Sequence, residues 1–287
     1  FSSGLVAATG TLGQIIPPSI ALVLLGDVMS NAYQRAQNDL GVFAVETVSV
    51  GDLFVGAIVP GLLICLLFLI YSIYFNRNLP ANSDIDTNLT LQPILRSLVP
   101  PMLLIFLVLG SIIAGIATPT EAAAIGAMGA IGIALFLKKL SINLIKEVSQ
   151  RTALITTMIF AILIGASIFS LIFRGVGGDA LVDVIFELVP GGKYSALLFV
   201  MLMIFLLGFI LDFIEICYVF IPLLAPPLLM MGFDPVWLAV LLAINLQTSF
   251  LTPPFGFSLF YLRGVADASI KTPVSYTHLT LPTRTRV

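Results

Sequence analysis

Apolar residues run along this chain in blocks of about 20 or more, the length a helix needs to cross the hydrocarbon of a bilayer. Blocks at 53–75, 97–116, 119–137 and 152–173 predict continuous helices. Two others, at about 4–26 and at 234–262, are interrupted by Gly, Ser, Thr and Pro and predict helices broken at mid-length. The run 195–231 exceeds one crossing yet carries Gly208, Asp212 and Glu215 near its middle. It predicts a re-entrant helical hairpin, with one long kinked span as the competing reading. Stretches 27–52 and 174–194 read as polar connections, and 78–96 as a linker. Segment 138–151, with Lys138, Lys139, Lys146 and Arg151, reads as an interfacial amphipathic helix.

The two interruptions resemble each other. Gly-Thr-Leu-Gly-Gln-Ile-Ile-Pro-Pro-Ser fills 10–19, and Thr-Ser-Phe-Leu-Thr-Pro-Pro-Phe-Gly-Phe-Ser fills 248–258. Proline lacks the N–H a helix requires and clashes with the preceding turn, so each Pro-Pro pair predicts a break that frees backbone carbonyls. In hydrocarbon such groups must meet protein, water or an ion, so breaks line cavities. Two breaks at matching places in two halves point to the binding site of a secondary transporter. Gly10, Gly13, Ser249 and Gly256 predict close backbone approach. Thr11, Ser19, Thr248, Thr252 and Ser258 supply hard oxygens suited to Na⁺. Half-helix N-termini suit a substrate carboxylate, which brings in Pro18, Ser19, Thr252 and Pro253 as substrate candidates.

Asp212 and Glu215, at i and i+3, fall on one helix face inside an apolar run. A carboxylate at that depth is costly and marks function: coupling a proton, ligating a cation, or holding the hairpin tip by hydrogen bonds. Asn245 and Gln247 are amides that either bond freed backbone groups or meet the ion. Glu121, just after Pro119 and Thr120, reads as a helix cap. Arg174 and Trp237 read as interfacial anchors.

Lysine and arginine set the orientation. Arg77, Arg96, Lys138, Lys139, Lys146, Arg151, Arg263 and Lys271 fall on one set of loops, against Arg35, Arg174 and Lys193 on the other. The first set is therefore cytoplasmic. The alternation closes only if 195–231 returns to its starting side, and it points the two broken helices in opposite directions. That is an inverted repeat: 1–77 belongs to the first half and 97–266 to the second.

Composition agrees: 59% of residues are hydrophobic, 10% are charged, and the mean hydropathy is +1.11. A soluble domain carries about 25% charged residues, so the chain is read as an integral, multi-pass, all-α membrane protein. The strict alternation of a β-barrel is absent. A net charge of -2 and the lack of a basic stripe give no reason to expect nucleic acid. Cys65 and Cys217 lie in apolar runs and read as small buried hydrophobes. No zinc-protease motif, phosphate loop or cysteine pair is present, and an intramembrane enzyme using Asp212 and Glu215 as acid and base lacks a nucleophile or metal partner. The chain is read as not an enzyme. The polar tail, 267–287, breaks the composition from Val274 onward and reads as non-native there.

These residues resemble the large membrane subunit of TRAP transporters, the tripartite ATP-independent periplasmic family. The segments that carry the likeness are 10–19, Ala-Thr-Pro-Thr-Glu-Ala-Ala-Ala at 117–124, Leu-Gly-Phe-Ile-Leu-Asp at 207–212, Gly-Phe-Asp-Pro-Val at 232–236 and Asn-Leu-Gln-Thr-Ser-Phe-Leu-Thr-Pro-Pro-Phe-Gly-Phe at 245–257. The resemblance implies an elevator-type Na⁺ symporter in the bacterial inner membrane. A small membrane subunit and a periplasmic solute-binding protein that delivers an organic acid would be its partners. It implies one Na⁺ site at a first hairpin with Gly10, Thr11 and Gly13. A second would take Gly208, Asp212, Asn245, Thr248, Ser249 and Thr252. The first hairpin would precede Phe1, so the chain reads as a C-terminal fragment. A stand-alone divalent-anion:Na⁺ symporter or a Na⁺/H⁺ antiporter of similar build is the alternative.

Overall fold

The computed structural model describes Leu5, residues 8–76 and residues 91–251, and every regular element among them is helical. A 3-10 turn at Thr11–Gln14 leads into α1 (Ile20–Asp39), followed by α2 (Val50–Asn76), α3 (Leu91–Ile113), α4 (Pro119–Phe136) and α5 (Ile142–Gly175). Then come α6 (Gly178–Leu188), α7 (Lys193–Leu207), a short turn at Phe213–Glu215, a π-helix at Ile216–Phe220, α8 (Ile221–Met230) and α9 (Pro235–Leu251).

Four described stretches are long and apolar enough to cross a bilayer: Val50–Tyr74, Pro119–Phe136, Ile142–Gly175 and Phe213–Met230. The pair α6 and α7, bent by 118° at its break, is a fifth if counted as one broken span. The predicted spans at 53–75, 97–116 and 119–137 correspond to α2, α3 and α4.

Three connections differ from expectation. The polar stretch after residue 26 is helical to Asp39, because nothing between Asp27 and Asn38 breaks a helix. α1 ends only at Gly41 (φ 73°), where Val42 donates to the carbonyl of Gln37 and Gly41 to that of Asn38. The interfacial helix expected at 138–151 is not separate from the next span. No Gly or Pro falls between Ile142 and Ile164, so α5 runs unbroken for 34 residues, about 50 Å at 1.5 Å per residue. The Gly-rich connection at 174–194 contains α6, whose Gly178, Val182 and Phe186 form a buried stripe at i, i+4, i+8.

The described residues fall into two compact units, one of Leu66–Met158 and the other of those up to Cys65 together with those from Ile159. In the first of these, α3 packs on α4. Leu104 lies where a side chain at Gly129 would stand, so the missing Cβ sets how closely these helices approach. Thr118 caps α4 through its hydroxyl, while Glu121 Oε2 accepts from the Thr118 backbone N–H at 2.8 Å. This is the expected capping role of Glu121, as a capping box worth about 1 kcal/mol.

The other unit holds the interrupted elements. α7 and α8 touch each other, yet in one straight helix Leu207 and Ile221 would stand about 21 Å apart. The chain therefore turns at Gly208–Asp212 and does not run on as one straight helix. The second arm of this turn packs along α1, and α9 packs on α1 and α7. Ile15, Leu22, Leu25, Met29, Ile204, Ile216, Ile221, Leu228, Leu238 and Leu242 are fully buried in this core. Of the Phe213–Met230 stretch 61% is buried, against 6% of the α5 span, so the second arm is an interior element of its unit.

Proline pairs alone do not break these helices. Pro100-Pro101 lies within α3 and Pro226-Pro227 within α8, both continuous. Pro17-Pro18 differs because a 3-10 turn precedes it and Ser19 caps a new helix directly after it. The π-helix just before Pro222 widens the backbone where the proline-rich arm begins.

Candidate functional site

The first break is built by its own side chains. Ser19 adopts an extended conformation (φ -125°, ψ 131°), accepts from Leu22 N at 3.3 Å, and donates its hydroxyl proton to the carbonyl of Gln14. That loop closure turns the chain between Gln14 and Ser19 and leaves the first N–H groups of α1 facing the break. Thr11, buried, donates to the carbonyl of Ala8 at 2.7 Å. Nε2 of Gln14 is a buried donor without a hydrogen-bond partner among the described residues.

The residues just before the second motif reach the first motif and the helix Lys193–Leu207. Gln247 Nε2, near the end of α9, donates to Thr11 Oγ1 at 2.8 Å, and both residues are buried. Asn245 Nδ2, two residues earlier, donates to the carbonyl of Met201 in α7 at 2.7 Å. One amide thus ties α9 to the first break and the other ties it to the first arm of the hairpin. Both options foreseen for these amides involved freed backbone or an ion; Gln247 instead meets a hydroxyl and Asn245 a helical carbonyl.

At the hairpin tip, Gly208 is buried at the C-cap of α7. Asp212 is half-buried, and its Oδ1 accepts from Phe213 N at 2.7 Å as the N-cap of the second arm. The hydrogen-bonding role is the one visible for Asp212. Glu215 follows in the first turn, half-buried.

Of the predicted ligands, Thr11, Ser19, Gly208, Asp212 and Asn245 lie on these interrupted elements of one unit. Pro18 is exposed beside buried Pro17. Among the described residues, no atom stands within 4 Å of where a Cβ would be at Gly10 or Gly13. Thr248 and Ser249 lie in the last turns of α9. Thr252, Pro253, Gly256 and Ser258 fall outside the described residues. The hydroxyls are less free than the sequence suggests. Thr11 spends its proton on Ala8 and one lone pair on Gln247, and Ser19 spends its proton and one lone pair on its own loop.

Sequence reasoning missed Gln14. It lies inside the motif that was singled out, but only the folded loop reveals that its amide is sheltered and has no partner among the described residues.

Comparison with known proteins bears on what such an arrangement serves. The chain is 28% identical over 282 residues to the sialic acid TRAP transporter large permease protein SiaM of Vibrio cholerae, covering 95% of this chain and 60% of that protein. It is 30% identical over 274 residues to the isethionate TRAP transporter permease protein DctMQ of Oleidesulfovibrio alaskensis, covering 94% of this chain and 40% of that one. It is 29% identical over 269 residues to the C4-dicarboxylate TRAP transporter large permease protein DctM of Pseudomonas aeruginosa, covering 92% of this chain and 58% of the relative. The chain thus spans between 40% and 60% of the length of these relatives. Residues 1–280 match the family described as "Tripartite ATP-independent periplasmic transporter, DctM component". With apolar membrane-length helices and a match over residues 1–280, the chain belongs to the DctM component family of TRAP transporters, a family of transporters and not of enzymes.

Proposed function

We propose that this chain is the site-bearing part of the large permease subunit of a Na⁺-coupled organic-acid importer in the bacterial inner membrane. It works with a small membrane subunit and a periplasmic solute-binding protein. The observation that supports the reading is the buried Gln247–Thr11 hydrogen bond, which joins the residue just before the second motif to the first motif.

The chemistry follows from the groups there. The N-terminus of α1 offers unpaired N–H groups and the positive end of a 20-residue helix dipole to a substrate carboxylate beside Pro18 and Ser19. The Gln14 amide offers another donor, and Thr252 and Pro253 flank the same substrate from the second motif. Na⁺ is cargo, not a resident cofactor. Backbone oxygens at Gly10, Thr11 and Gly13 would take one ion. Gly208, Asp212, Asn245, Thr248, Ser249 and Thr252 would take the other. Asp212, whose Oδ1 accepts from Phe213 N, would supply the negative charge that neutralises the ion. Inverted repeats and an elevator-type movement complete the reading, with 195–231 as a re-entrant hairpin and the chain alternating between the two faces of the membrane.

The test is uptake by the full-length counterpart, reconstituted in liposomes with its small subunit and binding protein. Uptake of an organic acid should require an inward Na⁺ gradient and vanish when choline replaces Na⁺. Uptake that persists without the binding protein would favour the stand-alone symporter, and uptake indifferent to Na⁺ would sink the proposal.

A further inference from the structure

Away from the break, α1, the last turns of α5 and the hairpin's second arm enclose a cavity of about 660 Å³. Asp27, Asn31 and Arg35 line it from α1, Ser170 and Arg174 from α5, and Tyr218 from the π-helix. Both helices present these groups as stripes: i, i+4, i+8 on α1 and i, i+4 on α5. The volume falls within the range that holds a small solute, about 300–1,000 Å³. By rise along α1, Asp27 stands about 12 Å beyond Ser19, so the cavity lies along the same helix as the first break.

The charges here are not all spoken for. Arg35 Nη2 donates to Asp179 Oδ2 at 2.7 Å, and its Nε lies 3.8 Å from Asp39. Arg174 has no ion pair among the described residues, and neither has Asp27, so the two are also not paired with each other. A guanidinium on one wall and a carboxylate on another, each lacking a counter-charge, complement a ligand with opposite ends. Both side chains are exposed, so a solute entering the open side of the cavity can reach them.

We infer that this cavity is a second solute site, through which the solute passes on its way to the break. It takes a monocarboxylate whose far end carries hydroxyl or ammonium donors. The carboxylate lies on Arg174, with Ser170 beside it, and the donors face Asp27 and Asn31. A dicarboxylate is disfavoured, because its second carboxylate would meet Asp27. The inference rests on the proposed transport of organic acids but concerns a different place in the fold.

The experiment uses the complete transporter with Cys65→Ser, leaving the fully buried Cys217 in place. S170C is labelled with the anionic reagent methanethiosulfonate ethylsulfonate, and N31C serves as a second position. Labelling should proceed, and should slow about tenfold in the Arg174→Gln background, as removal of a local positive field requires. Millimolar sialic acid, a hydroxylated monocarboxylate, should protect both positions, and succinate should not. In uptake, Arg174→Gln should raise the half-saturating solute concentration about tenfold, equivalent to about 1.4 kcal/mol, with the Na⁺ dependence unmoved. No labelling at either position, a rate indifferent to Arg174, no protection, or equal protection by succinate would each overturn the site. If labelling and protection behave as expected while Na⁺ fails to drive uptake, the transport reading falls and the site stands.

Discussion

Gln247 donates to the hydroxyl of Thr11 across 2.8 Å of protein interior, although 236 residues separate them in the chain. The bond is buried at both ends, so neither group can turn to water if the other is lost.

Thr11→Val is expected to strand the Gln247 amide and cost about 1–3 kcal/mol. Gln247→Leu alone leaves Thr11 its bond to Ala8 and should cost less. The double variant removes both polar groups and should be closer to wild type than Thr11→Val alone. Thermal melting of the four proteins in detergent measures the coupling; strictly additive losses would show that the bond does not form.

Asp212 can be separated into a cap and a charge. Asparagine caps a helix about as well as aspartate, so Asp212→Asn should keep expression and melting near wild type while uptake falls sharply. Asp212→Ala should lose stability as well, by about 1 kcal/mol. Equal loss of expression and uptake in Asp212→Asn would return the residue to a purely structural role.

At Gly56 on α2, a methyl group would come within 2.8 Å of Val236 Cγ1 and 3.4 Å of Val240 Cγ2 on α9. Valine in a helix has essentially one rotamer and cannot swing away, so Gly56→Ala must push the helices apart, at about 1–3 kcal/mol. An unchanged melting temperature would show that α2 yields without cost.

Ser249→Ala or Thr252→Val should raise the Na⁺ concentration needed for half-maximal uptake in the full-length protein, while the solute dependence shifts less. An unmoved Na⁺ dependence of both variants would remove them from the ion site.

Reporter fusions at 140–150 should read cytoplasmic and those at 178–190 periplasmic. The uninterrupted course of α5 between these positions strengthens the expectation of opposite readings. The reverse polarity would overturn the topology.

How much of this was legible beforehand depends on the range of the interaction responsible. Membrane-length helices were legible because burial in hydrocarbon demands long apolar runs, and Glu121 was legible because a capping box is closed within four residues. The turn at Gly208–Asp212 was legible from a local conflict, an apolar run too long for one crossing with carboxylates at its centre. The first break was legible too, though for an incomplete reason. Pro226-Pro227 stays helical, and what turns the chain at Pro17-Pro18 is Ser19 bonded back to Gln14.

By itself, then, the sequence determined an all-helical membrane chain, its first interruption and its family likeness, since these follow from periodicity, hydropathy and short-range backbone chemistry. Only the tertiary structure decided that Gln247 meets Thr11, that Asn245 holds Met201, that the Gln14 amide is sheltered without a partner among the described residues, and that Arg174 faces a cavity with Asp27. Those outcomes depend on which helices pack together, and side chains far apart along a chain acquire partners only when that packing forms.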